Sequence, residues 1–197
     1  MEKFSREKRD NFFDGFILKY VSKDKLSKIC DLACGYGGDL ELLKRSADEI
    51  WGLDISHDAI GLCREKFSND ENVKLKIASA AHTGFDSDYF DFVIIRLGLH
   101  HIDEKKKVME EAFRITKHGG KFIVIDKFRH NVLEPHVKSF LRKLLRKRTE
   151  TSQMSLISKK EYGKIFSASK FRVLEKKILP YDRKNVGQFF VVAFEKI

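Results

Sequence analysis

Two acids and three glycines, Asp31, Gly35, Gly37, Gly38 and Asp54, have the types and spacing of a nucleoside site. Glycine lets the backbone turn tightly and approach a ligand with no Cβ in the way. A carboxylate at the tip of the following strand can accept from both ribose hydroxyls. The spacing also narrows the nucleoside. A dinucleotide fingerprint needs a third glycine at position 40, so that a pyrophosphate can rest on the helix N-terminus, and this chain has Leu40 there. Asp39 places a negative charge in the first turn, where that phosphate would lie. A nucleoside without phosphates fits better.

The segments around these residues show what must position them. An apolar run at 29–33 enters the glycine turn, a helical pattern follows, and a second apolar run at 50–53 ends on Asp54. Ser56 is placed to cap a helix over 57–67, and 73–78 reads as a third strand. The run at 92–97 has no polar alternation, which predicts a strand buried on both faces at the sheet centre. A helix over 103–116, a stop at Gly119-Gly120 and a strand over 122–126 come next. A helix over 158–169 opens with the capping-box spacing of Ser158 and Glu161, and strands are expected over 171–179 and 189–195. Strands and helices therefore alternate as in an α/β fold, a doubly wound, seven-stranded, mostly parallel sheet with helices on both faces.

The stretch 31–38, Asp-Leu-Ala-Cys-Gly-Tyr-Gly-Gly, resembles the first motif of class I S-adenosylmethionine-dependent methyltransferases, D/E-x-x-x-G-x-G, in their small-molecule "type 11" branch. Asp54 falls where that family keeps its ribose acid. Phe85-Asp86 and Phe90-Asp91 resemble its next motifs, and 114–121 resembles its R-x-L-K-P-G-G with His118 in place of proline. The resemblance runs from about Lys28 to Ile197. It implies a Rossmann-like methyltransferase fold whose last strand is antiparallel, and S-adenosylmethionine as cofactor, with S-adenosylhomocysteine as product and no metal. It also implies cofactor contacts. Gly35, Tyr36 and Gly37 would lie along the methionine and ribose, Asp54 on the ribose hydroxyls, and Ile55 on the adenine face. Ser79 and Ala80 would lie at the adenine edge, where many members carry an acid that this chain lacks. Asp31 would orient the loop or the cofactor's amino group, and Arg96 and Leu97 would floor the methionine part. Tyr20, His100 and His101 are the substrate-side candidates. No catalytic residue is assigned, because a sulfonium methyl is already activated and the protein mainly positions and desolvates the partners.

Three functions are compatible with these motifs. The first is a methyltransferase acting on a small molecule by in-line displacement. The second is an RNA methyltransferase, since 34–40 also resembles the G-K-G-G-D-L loop of mRNA cap guanine-N7 enzymes, with Tyr36 in place of the lysine. The third is a non-catalytic S-adenosylmethionine-binding protein.

With 197 residues, 42% hydrophobic and 35% charged, the composition is that of one ordinary globular domain spanning 1–197. No apolar run is long enough for a membrane span and no signal-peptide core is present, so a soluble, cytoplasmic protein is expected. Cys30, Cys34 and Cys63 have no metal-ligand or disulfide spacing and read as buried thiols. The net charge of +10 is local: residues 127–148 carry +7 of it. Two segments are candidate lids. An N-terminal helix over 4–21 gathers Phe4, Phe12, Phe13, Phe16, Ile17 and Tyr20, and a basic amphipathic helix lies at about 131–148. The basic face of 137–148 suits a solvated lid, an anionic membrane surface or a nucleic acid. The oligomeric state is left open.

Overall fold

Seven strands form one sheet in the order β3-β2-β1-β4-β5-β7-β6. In the computed structural model, residues 6–21, 26–129, 157–179 and 187–197 are described. Phe4 and the expected basic helix at 131–148 lie outside them. The strands are β1 (Leu26–Leu32), β2 (Ala47–Asp54), β3 (Val73–Ile77), β4 (Phe90–Arg96), β5 (Thr116–Arg129), β6 (Arg172–Ile178) and β7 (Gly187–Glu195). The helices are α1 (Arg6–Tyr20), α2 (Gly38–Leu43), α3 (His57–Lys66), α4 (Lys105–Ile115) and α5 (Lys159–Ala168), with a 3-10 turn at Leu99–His101.

The central strands pair in parallel from β3 to β5. β7 is antiparallel to both of its neighbours, β5 and β6. It is thus inserted near the edge, as expected of the last strand.

The two-residue period of the strands divides the core into two layers. Cys30, Leu32, Val93, Ile95, Phe122 and Val124 face α4 and α5, joining Met109, Tyr162 and Phe166. Ile29, Ile50, Phe92, Ile94, Ile123 and Ile125 face the other way, onto Phe13 and Ile17 of α1 and Leu40 of α2. Because β4 carries apolar residues at both parities, it can serve both layers, which is why its run shows no alternation.

Local signals set several boundaries. Ser56 accepts from the Ala59 amide at 3.2 Å, and Ser158 and Glu161 form the full capping box. One expectation is corrected. Gly119-Gly120 does not separate helix from strand, because α4 ends at Ile115 and β5 begins at Thr116. The two glycines lie within β5, beside a register shift against β4 at Phe90/Phe92. There the Gly119 amide donates to Lys196 O at 2.7 Å, and a Cβ on Gly120 would come within 2.8 Å of Lys117 O. Twin glycines serve a bulge as well as a helix stop.

Candidate functional site

The chain leaves the sheet centre in opposite directions from β1 and β4, so a crevice opens at the carboxyl ends of these two strands. Both ends carry a left-handed residue that is not glycine, Ala33 (φ 57°) and Leu97 (φ 55°). Such backbone costs energy and concentrates at functional sites.

The glycine turn follows Ala33. Gly35 (φ 52°) has nothing within 4 Å of where a Cβ would stand, so its backbone faces open space. Gly37 (φ 74°) is the opposite case, with Phe67 Cε2 2.6 Å from its virtual Cβ. One glycine leaves room for a ligand and the other for α3. Asp54, at the tip of β2, ties the turn down: Oδ2 accepts from the Gly35 amide and Oδ1 from the Ser56 amide, both at 2.9 Å. Beside it, Ile55 and Tyr36 are 71% and 72% exposed, unusual for large side chains flanking a buried turn. Next to Asp54, whose carbonyl accepts from the Ala78 amide at 3.1 Å, Ser79 Oγ accepts from the Ala81 amide at 3.2 Å, and Ala80 is buried.

Asp31 is the outlier in this neighbourhood. It is 2% exposed, and its Oδ2 is the one fully buried polar side-chain atom without a hydrogen-bond partner among the described residues. Burial drives its carboxyl well above the usual range, Asp39 and Asp54 add to the rise, and Arg96 opposes it. Arg96 donates to Asp14 of α1 at 2.6 Å and to Asp39 at 2.9 Å, with Asp10 at 4.0 Å. Three carboxylates, Asp10, Asp14 and Asp39, thus lie within 4.0 Å of one guanidinium, with Asp31 in its field, an excess of negative charge that suits a cationic ligand.

The three substrate-side candidates go to different places. Tyr20 is not brought to the crevice: its hydroxyl donates to Glu175 of the edge strand β6 at 2.5 Å. The end of α1 that reaches the crevice is the one bearing Asp10 and Asp14, acids that the sequence reading missed although they sit four apart on one helix face. His100 and His101 follow β4 in the 3-10 turn, with ring centroids 4.0 Å apart. His101 is exposed; burial of its ring, then His100 and Lys127, hold its pKa below the usual value. His100 is buried, with Nδ1 2.6 Å from Asp126 Oδ1. Tyr162 of α5 lies 3.4 Å from the other oxygen of Asp126. Asp126 and Tyr162 were also missed.

Among the described residues, no group of three or more His, Cys, Asp or Glu could hold a metal ion. The three cysteines are buried and free.

Residues 30–124 match the Methyltransf_11 family model, described as a methyltransferase domain. Over 99 residues the chain is 31% identical to a demethylmenaquinone methyltransferase of Clavibacter sepedonicus, covering 50% of this chain and 40% of that one. The chain therefore spans less than half the length of that relative. Among solved structures, it is similar to the PH0226 protein of Pyrococcus horikoshii OT3, with a TM-score of 0.72 and 23% identity over 98% of this chain and 92% of that one. It is also similar to geranyl diphosphate C-methyltransferase of Streptomyces coelicolor A3(2), solved with Mg2+, geranyl diphosphate and S-adenosyl-L-homocysteine. There the TM-score is 0.76 at 13% identity, over 95% and 77% of the two chains. These structures share the seven-stranded, Rossmann-like fold.

Proposed function

We propose that this chain, which carries a Methyltransf_11 methyltransferase domain over residues 30–124, is an S-adenosylmethionine-dependent methyltransferase acting on a small molecule. The observation that carries the reading is the buried oxygen of Asp31, without a partner among the described residues, within an acidic crevice. An unpaired carboxyl there costs stability unless a cation completes it, and the cofactor bears both an ammonium and a sulfonium.

The residues present fit that cofactor. Asp31 would take the amino group, and the free lone pairs of Asp54 the ribose hydroxyls, while its amide contacts keep the carboxylate aimed. Ile55 would cover the adenine face, gaining burial that it lacks now, with Ser79 and Ala80 at the adenine edge. Gly35 and Gly37, with Tyr36 between them, would line the methionine and ribose, and Arg96 and Leu97 would floor the methionine end. When bound, the cofactor supplies a methyl group already activated by the sulfonium. The protein's work is then to align the acceptor and exclude water.

The remainder of the proposal is organisational. Residues 1–197 form a single methyltransferase domain, with 4–21 and about 131–148 as lid elements and the basic stretch as the contact for an anionic acceptor or surface. No described helix is long and apolar enough to cross a membrane, and we place the activity in the cytoplasm.

Calorimetric titration with S-adenosylmethionine and S-adenosylhomocysteine tests this reading. Binding should weaken at least ~10-fold in Asp54→Ala, the loss expected from removing hydrogen bonds to a charged group. Absence of binding to the unmodified protein would refute it.

A further inference from the structure

We propose that a cavity between the last turns of α4 and α5 is a second ligand site, separate from the cofactor crevice, and that it takes a small aromatic carboxylate. The proposal does not depend on the methyltransferase reading above.

The cavity measures about 380 Å³, within the usual range for small-molecule sites. Its walls are the loop before β4, the end of α4, the residues that follow α5, and Lys196. β4 runs from Phe90 at this end to Arg96 at the crevice, 7 residues or ~20 Å, so the two sites occupy opposite ends of the sheet.

The twin glycines of β5 help to build the cavity. Lys196 exchanges backbone hydrogen bonds with them: the Gly119 amide donates to Lys196 O at 2.7 Å and the Lys196 amide to Gly120 O at 3.1 Å. The anchored Lys196 is 4% exposed. Its Nζ donates to Asp88 Oδ1 at 2.8 Å and stands 4.7 Å from the centroid of the Phe113 ring. Asp88 holds a left-handed backbone (φ 56°), pinned where its amide donates to Arg114 O at 2.9 Å. Backbone of this kind in a non-glycine residue is costly and concentrates at ligand sites.

The charges on the walls select the ligand. Arg114 is engaged, since Nε and Nη2 each donate to Glu111 at 2.8 Å, and Glu110 lies 3.5 Å from Lys106. Lys170 is the exception. It is exposed, has no hydrogen-bond or ion-pair partner among the described residues, and its Nζ stands 5.9 Å from the centroid of the same Phe113 ring. Two ammonium groups therefore converge on one aromatic ring. An anion beside them relieves their mutual repulsion, and Lys196, with three N–H donors and Asp88 as its one hydrogen-bond acceptor, has donors to spare. Ser87 adds another: Oγ accepts from Arg114 Nη1 at 3.3 Å, and its own proton has no acceptor among the described residues. Beneath these donors Met109 and Phe113 supply an apolar floor, with Phe113 half-buried edge-to-face against Phe171 at 5.1 Å. A cation would meet the two ammonium groups, and a bare inorganic anion would leave the floor wet. A carboxylate on a flat apolar ring satisfies both features.

The test titrates the full chain with 1-naphthoate at fixed ionic strength and follows amide chemical shifts by NMR, with 1-naphthalenemethanol and inorganic phosphate as comparison compounds. Naphthoate should bind saturably with a Kd of ~1 mM or tighter, shifting the amides of Phe113, Lys170 and Lys196 and leaving Gly35 in place. Both comparison compounds should bind at least ~5-fold more weakly. Lys170→Glu, a change on the surface, should weaken naphthoate at least ~10-fold and move Tm by under ~3 °C, while Lys170→Arg should stay within ~3-fold. Saturating S-adenosylhomocysteine should leave naphthoate affinity unchanged.

Four results overturn the proposal. The first is no saturation by ~10 mM naphthoate. The second is equal affinity for either comparison compound, which would remove the carboxylate or the ring from the recognition. The third is a Lys170→Glu variant within ~2-fold of the unmodified affinity, which would assign the binding to the basic stretch at 127–148. The fourth is displacement of naphthoate by S-adenosylhomocysteine with shifts at Gly35, which would place it in the crevice.

Discussion

Replacing Asp31 by asparagine should make the free protein more stable and the cofactor bind more weakly. The side chain is 2% exposed and Oδ2 has no partner among the described residues, with Asp39 and Asp54 close enough to raise the carboxyl further. Since the folded-state carboxyl titrates above the unfolded value of about 3.9, the fold holds this proton more tightly than the unfolded chain does. Its contribution to stability is therefore fully present below about pH 3.9 and is lost as pH rises toward the folded-state value. At neutral pH the asparagine variant escapes that loss. An unsatisfied buried group costs ~1–3 kcal/mol, and the amide keeps part of it, so a gain of ~1–2 kcal/mol is expected, or ~2–8 °C in Tm. Against this, a charge-assisted hydrogen bond to the cofactor ammonium is worth ~1.5–3 kcal/mol, so S-adenosylhomocysteine should bind ~10- to 150-fold more weakly. Scanning calorimetry at pH 5 and 7.5, with and without S-adenosylhomocysteine, reads both effects. A variant that is less stable in the free state, or that binds with unchanged affinity, would refute the reasoning.

Other substitutions probe the scaffold around the crevice. Gly37→Ala adds a left-handed Cβ, at ~1–2 kcal/mol, to a clash with Phe67; urea unfolding should show a loss of about 2–4 kcal/mol, and a change under ~0.5 kcal/mol would contradict the geometry. Burial opposes ionisation of Glu111, yet hydrogen bonds from Arg114 and Thr83 pull its pKa down to about 2. Its stabilisation is present above the unfolded value of about 4.3 and is lost as pH falls toward 2, so Glu111→Gln should cost ~1.5–3 kcal/mol at pH 7 and much less at pH 2.5. Ser158→Ala removes the cap of α5 and should lower stability by ~1 kcal/mol, with thermal unfolding as the measurement.

The strands were legible because β1, β2 and β4 are apolar runs that punctuation isolates, and the caps because Ser56 and Ser158 precede helical patterns. Gly119-Gly120 misled because two glycines end a helix and open a bulge by the same freedom, and only the pairing partner distinguishes them. In the site, contiguous features could be read directly: the glycine turn and Asp54 are one local unit. Asp126 and Tyr162 could not, since they join His100 across the sheet from separations of 26 and 36 residues along a chain of contacts. The one available signal was an acid closing an apolar strand, as Asp126 does after residues 122–125. Tyr20 shows the converse: it shares a helix face with Phe13 and Phe16, yet α1 carries it outward to β6 while Asp10 and Asp14 turn toward Arg96.

The insertion of β7 between β5 and β6 has a consequence for the order of assembly. β6 is synthesised before β7 but touches the sheet only through it. While the ribosome is still producing residues 187–195, β5 presents an unpaired edge of backbone amides and carbonyls from Lys121 to Arg129, and β6 lacks the strand it pairs with. The crevice half of the sheet, β3 to β5, can close on its own parallel contacts. The other half must wait for its later neighbour and then form in one step, as an antiparallel pair that adds two strands together.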